Sequence, residues 1–153
     1  MTSSAADTGP IATLGAAVRT RHDLAVLVTR VIAGAILTVH GLQHLADPGS
    51  HIEQTADYGV PLAPITGWLS MLGETGLGLL LLVGLLTRIA GILAAVLMLL
   101  TFLVDVLNEG LIADQGVNSE SALLIAAIGL GVAVLGTDRY SLSTLIKLPP
   151  QLR

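Results

Sequence analysis

Residues 24–45 read LAVLVTRVIAGAILTVHGLQHL, and this stretch decides the fold. As a helix at about 1.5 Å per residue it is roughly 33 Å long, enough to cross a hydrocarbon core of about 30 Å. Yet it contains Arg30, His40, Gln43 and His44, groups that lipid penalises heavily. Three further apolar stretches follow at 62–86, 89–104 and 121–136, the last two only just long enough to span. With 53% hydrophobic and 12% charged residues, the chain reads as an integral membrane protein. The apolar runs lack period-2 alternation, which selects helices over a β-barrel. The expected fold is an all-α, integral membrane four-helix bundle.

Working outward, 153 residues with four spans leave no length for an extramembrane catalytic domain. Residues 1–23 read as an N-terminal tail, with 1–17 irregular; 24–145 form the transmembrane domain, and 146–153 a C-terminal tail. Cysteine is absent, which excludes thiolate nucleophiles, disulfide relay and iron–sulfur ligation by this chain. Arg19, Arg21 and Arg30 lie at or near the start of the first span, Arg88 in the turn between spans two and three, and Arg139, Lys147 and Arg153 after span four. The loops 46–61 and 105–120 carry no Lys or Arg but are acidic, among them Asp57, Glu109 and Asp114. By the positive-inside rule both termini are expected in the cytoplasm. Arg19 and Arg21 before an apolar run resemble a signal peptide, but Arg30 interrupts that run and no small-x-small cleavage site follows.

Asp47-Pro48-Gly49-Ser50 reads as the turn ending span one, so His51, Glu53, Asp57 and Tyr58 are assigned to an outer loop. Pro61 and Pro64 fit the entry to span two, Asn118 or Ser119 the cap of span four, and Pro149-Pro150 a helix stop.

At 100° per residue, Arg30, Ala33, Leu37, His40 and His44 share one stripe. Glu74 shares a face of span two with Gly67, Ser70 and Gly78; Asp105 ends a similar face of span three, and Glu120 heads span four. Counting inward, His40 lies about 8 Å and Glu74 about 15 Å from the outer surface, with Arg30 close to the level of Glu74. The expectation is therefore an Arg30–Glu74 ion pair below an outward-facing polar pocket. His40 and Glu74 are the candidate catalytic residues; Arg30, Gln43, His44, Asp105 and Glu120 are the candidate ligand-binding residues. His40-x-x-x-His44 has the spacing of a metal edge that Glu74 or Glu120 would complete for zinc, iron or copper, but two histidines are a weak motif and no metal is assigned.

Arg30-Val31-Ile32-Ala33-Gly34, His40-Gly41-Leu42-Gln43-His44-Leu45, Gly73-Glu74 with Gly76, and Gly84-Leu85-Leu86-Thr87-Arg88 together resemble the DoxX family of four-span membrane proteins. Glu120 and Gly136-Thr137-Asp138-Arg139-Tyr140-Ser141-Leu142 extend the resemblance, which covers the chain from Val28 onward. One departure is His44, where the family commonly has Lys.

The resemblance implies a subunit of a membrane redox complex, since DoxX-like proteins are associated with such complexes and the related DoxD/DoxA proteins resemble subunits of thiosulfate:quinone oxidoreductase. A quinone is the expected cofactor, with electrons supplied by a partner protein. The expected location is the bacterial cytoplasmic membrane, with the lipid bilayer and redox partners as contacts, a homo-oligomer as an option and no nucleic acid. The alternative is a non-catalytic scaffold or assembly factor whose Gly-rich helix faces recruit partner helices. A small transporter ranks below both, because no inverted repeat is evident.

Overall fold

The computed structural model describes residues 10–110, 119–136 and 138–146, which form helices joined by short turns with no strand among them. The helices are α1 (Pro10–Ala46), α2 (Pro48–Asp57), α3 (Ala63–Val83), α4 (Thr87–Glu109), α5 (Ser119–Leu135) and the single turn α6 (Leu142–Leu145). Gly15–Ala46 of α1, together with α3 and α4, are long and apolar enough to cross a membrane. The fourth apolar helix, α5, has 17 residues, about 25 Å of rise. The chain is a multi-pass membrane protein.

Its packing fits a lipid solvent. The buried faces are built from small residues such as Ala33, Ala90, Ala94 and Ala126, while Ile36, Leu69, Leu100, Leu124 and Val134 point outward. Lipid supplies no hydrophobic drive between helices, so close backbone approach matters more. A Cβ on Gly34 would lie 2.8 Å from the Gly78 carbonyl oxygen, and one on Gly91 would lie 2.7 Å from that of Gly129. The two glycine pairs lock α1 on α3 and α4 on α5, the dominant pairings of the bundle. Gly84, with φ of 70°, ends α3 and turns the chain into α4.

The helical boundaries depart from the sequence expectation in two places. α1 begins at Pro10, so 10–17 are helical rather than an irregular tail; proline suits a first helical turn, and alanines follow it. The 46–61 connection is also no simple loop. The Asp47 carboxylate accepts from the Ser50 backbone amide at 3.2 Å, and Pro48 follows in the first turn, so this sequence starts α2. Asn118, Asp114, Lys147, Pro149-Pro150 and Arg153, all used in the sequence reading, lie outside the described residues.

Candidate functional site

Arg30 and Glu74 do not pair. The α1–α3 register brings Gly41 against Glu74 and Thr75, and Gly34 against Gly78 and Leu82. Arg30 therefore reaches the far end of α3, about two turns from Glu74. The expected levels failed because the first turns of α3 extend past α1 to pack on α2, where a Cβ on Gly67 would sit 3.0 Å from the Ile52 side chain.

At that far end Arg30 is enclosed and held by three hydrogen bonds. Its Nε donates to Asp138 Oδ2 at 2.7 Å, and its Nη1 donates to the carbonyl oxygens of Leu81 and Leu82, both at 2.8 Å. The side chains of Arg30 and Asp138 are 2% and 0% exposed. The last carbonyls of a helix lack intrahelical donors and carry partial negative charge, so a guanidinium is well placed there. Asp138 Oδ1 also accepts from the Tyr140 amide at 2.8 Å. Ser143 donates its hydroxyl to the Gly84 carbonyl at 2.9 Å and accepts from the Leu86 amide at 3.0 Å, pinning 138–146 over the α3–α4 turn. This is a closed structural lock, and it holds Arg30 away from the cluster around Glu74.

The cluster around Glu74 is a different object. Glu74 lies on the buried face of α3, its side chain 3% exposed, opposite His40 at 55% and His44 at 25%. His40 Nδ1 stands 3.3 Å and His44 Nε2 4.0 Å from Glu74 Oε2. The approach depends on Gly41 between the two histidines, where a Cβ would lie 2.4 Å from Thr75 Oγ1 and 3.0 Å from Glu74 Cβ. The two imidazoles meet edge to face with centroids 4.7 Å apart. Asp105 on α4 is near enough for its charge to act on His40. Gln43 is exposed on another face of α1, and Glu120 is exposed in the first turn of α5. Neither joins the cluster.

His51, which the sequence reading left in a loop, does join it. It rides on α2, its ring 4.0 Å from that of His44, and its Nε2 is 2.8 Å from Ser70 Oγ. Ser70 already gives its proton to the Gly67 carbonyl at 2.9 Å, so His51 Nε2 must be the donor to Ser70. That fixes the neutral tautomer and leaves Nδ1 as a bare lone pair, buried and without a hydrogen-bond partner. Burial pushes the His51 pKa below its ordinary value of 6.5, with the neighbouring His40 adding to the shift. The Asp-Pro helix start was the signal that could have placed His51 here. Asp138 lies in the 136–142 motif that carries part of the resemblance, but nothing in that segment ties it to Arg30.

An open groove of about 700 Å³ runs along α3 from Leu72 to Val83, but its lining is apolar and includes none of the cluster residues. The cluster therefore lies outside that recess. As chemistry, it joins a buried carboxylate, two imidazoles that face it and a third with a free nitrogen.

The protein-family comparison matches DoxX over residues 25–105, more than half of the chain. That match spans α1 to α4 and includes Arg30, His40, His44, His51 and Glu74, while Asp138 and Glu120 lie beyond it. No curated protein and no solved structure shows a significant match to the chain.

Proposed function

The chain belongs to the DoxX family, and on that premise we propose that it is the membrane subunit of a quinone-linked redox complex, binding a quinone head group over the outer cluster. The observation carrying this reading is the orientation of His40. Its Nδ1 faces the buried Glu74 carboxylate, while the half-exposed ring leaves Nε2 toward the surroundings. The Glu74 carboxylate accepts from Nδ1–H, so when the ring is protonated its Nε2–H donates to a quinone carbonyl oxygen and can pass a proton to it. Reduction of a quinone to a quinol takes two electrons and two protons. The chain has no cysteine for an iron–sulfur centre, so the electrons are assigned to a partner protein and the chain supplies hydrogen bonds and a proton route. The distribution of basic residues supports a bacterial cytoplasmic membrane orientation with both termini inside and the cluster facing out.

The test is binding of a short-chain quinone by the purified protein in lipid nanodiscs. Wild type should bind, and His40→Ala and Glu74→Gln should each weaken binding at least about tenfold, the loss of one good hydrogen bond to a charged or polarised group. Unchanged affinity in both variants would remove the assignment. Retention of partner proteins from native membranes without any quinone dependence would favour the scaffold reading instead.

A further inference from the structure

We propose that His40, His44 and Glu74 form a binding site for a divalent transition metal ion, of the zinc or ferrous type, at the outer end of the α1–α3 pair. One ring nitrogen each of His40 and His44 and a Glu74 carboxylate oxygen all lie within 4.8 Å of one another. Metal–ligand bonds of about 2.0–2.2 Å in a tetrahedral site set neighbouring donors roughly 3.3–3.6 Å apart. The His40–Glu74 edge is 3.3 Å, the His44–Glu74 edge is 4.0 Å and no edge exceeds 4.8 Å, so closure around an ion needs side-chain shifts of about 1 Å or less. Two imidazoles and one carboxylate leave at least one coordination position open, the pattern of reactive rather than purely structural centres.

A second observation points the same way. The buried Glu74 carboxylate takes a single hydrogen bond among the described residues, and at 3.3 Å it is long. Charge-assisted bonds to a carboxylate are normally about 2.7–2.9 Å, and an ionised carboxylate has about four lone-pair sites. Elsewhere in this chain the buried Asp138 carboxylate is bound at 2.7 Å by Arg30 and at 2.8 Å by an amide. Glu74 is thus short of positive partners that the fold provides elsewhere. An M²⁺ ion with one carboxylate would leave a net single positive charge, which the nearby Asp105 is placed to offset. His51, packed on the His44 ring with its free nitrogen, borders the ion and restricts how that ligand can turn.

The site does not depend on the quinone reading. With an ion on His40 Nδ1, the ring proton sits on Nε2 and can donate outward, so either proposal can fail alone.

The experiment uses full-length protein in detergent, stripped with chelator, without quinone. Zn²⁺ should bind at one ion per chain by calorimetry, and Co²⁺ should give the intense visible bands of a four- or five-coordinate site. His44→Ala and the isosteric Glu74→Gln should each lower Zn²⁺ affinity at least about tenfold, while His22→Ala, at the opposite end of α1, should bind as wild type. Wild-type protein needs no substitution for the remaining arm: Zn²⁺ should protect His40 and His44, but not His22, from carbethoxylation. Binding well below one ion per chain, equal affinity in the folded variants, or no protection of His40 and His44 would overturn the site.

Discussion

The two ends of the α1–α3 pair each bury an acidic group, and they satisfy it in opposite ways. At one end Asp138 meets Arg30 at 2.7 Å, and Arg30 also closes the last carbonyls of α3. At the other end Glu74 has one long hydrogen bond to the half-exposed His40 and a looser approach by His44. A buried charge with a full set of partners specifies structure and offers nothing to a ligand. A buried charge with partners missing is costly to the fold, and such costs persist at sites that bind or react. The difference separates the part of this chain that holds the bundle together from the part that can act.

The largest effect is expected at the closed end. Arg30→Met leaves Asp138 buried without a counter-charge and strips the α3 carbonyls of their donor, which should cost about 3–5 kcal/mol in micelle unfolding experiments. The double variant Arg30→Met/Asp138→Leu should recover most of that loss, because a well-packed apolar pair often replaces a buried ion pair without penalty. No loss in the single variant would show that the lock is not one.

A smaller effect is expected where α1 and α3 touch beneath the cluster. Gly41→Ala puts a methyl 2.4 Å from Thr75 Oγ1, an overpacking that should cost about 1–3 kcal/mol. Gly76→Ala, on the same helix pair but with nothing within 4 Å of the new carbon, should stay within about 0.5 kcal/mol of wild type. Equal behaviour of the two would mean that the described register is wrong.

The smallest effect is a pH dependence. Burial holds the His51 pKa below 6.5 in the folded chain, so as pH falls the unfolded state takes up a proton first. Stability should therefore decline as pH drops from 6.5 through the folded value. Comparing melting temperatures between pH 7.5 and pH 5 should give a shallower decline in His51→Gln than in wild type. An identical slope would remove His51 from the buried edge of the cluster.

Much of this was legible in the chain, for reasons that can be named. The four apolar stretches report the solvent directly, and the stripe joining His40 to His44 needs only helical periodicity within one element. Glu74 could be singled out because an isolated carboxylate in a span has few reasons to be there. Register between helices was not legible. It depends on α2, which was hidden because Asp47-Pro48-Gly49-Ser50 supports both a turn and a helix start, and α2 in turn sets how far α3 overhangs α1. That one ambiguity misplaced the partner of Arg30 and concealed His51. Asp138 was out of reach for another reason: the fold-back of 138–146 over the α3–α4 turn is set by Ser141, Ser143 and Gly84 in three dimensions, and no periodicity announces it.

The measurement closest to the central contrast compares two isosteric neutralisations in one unfolding assay. Asp138→Asn should destabilise the protein by about 3–5 kcal/mol, since it strands the buried guanidinium. Glu74→Gln should leave stability within about 1 kcal/mol of wild type or raise it, because it removes a charge the fold leaves under-partnered. A Glu74→Gln protein as unstable as Asp138→Asn would contradict the account and make the Glu74 cluster a second structural lock.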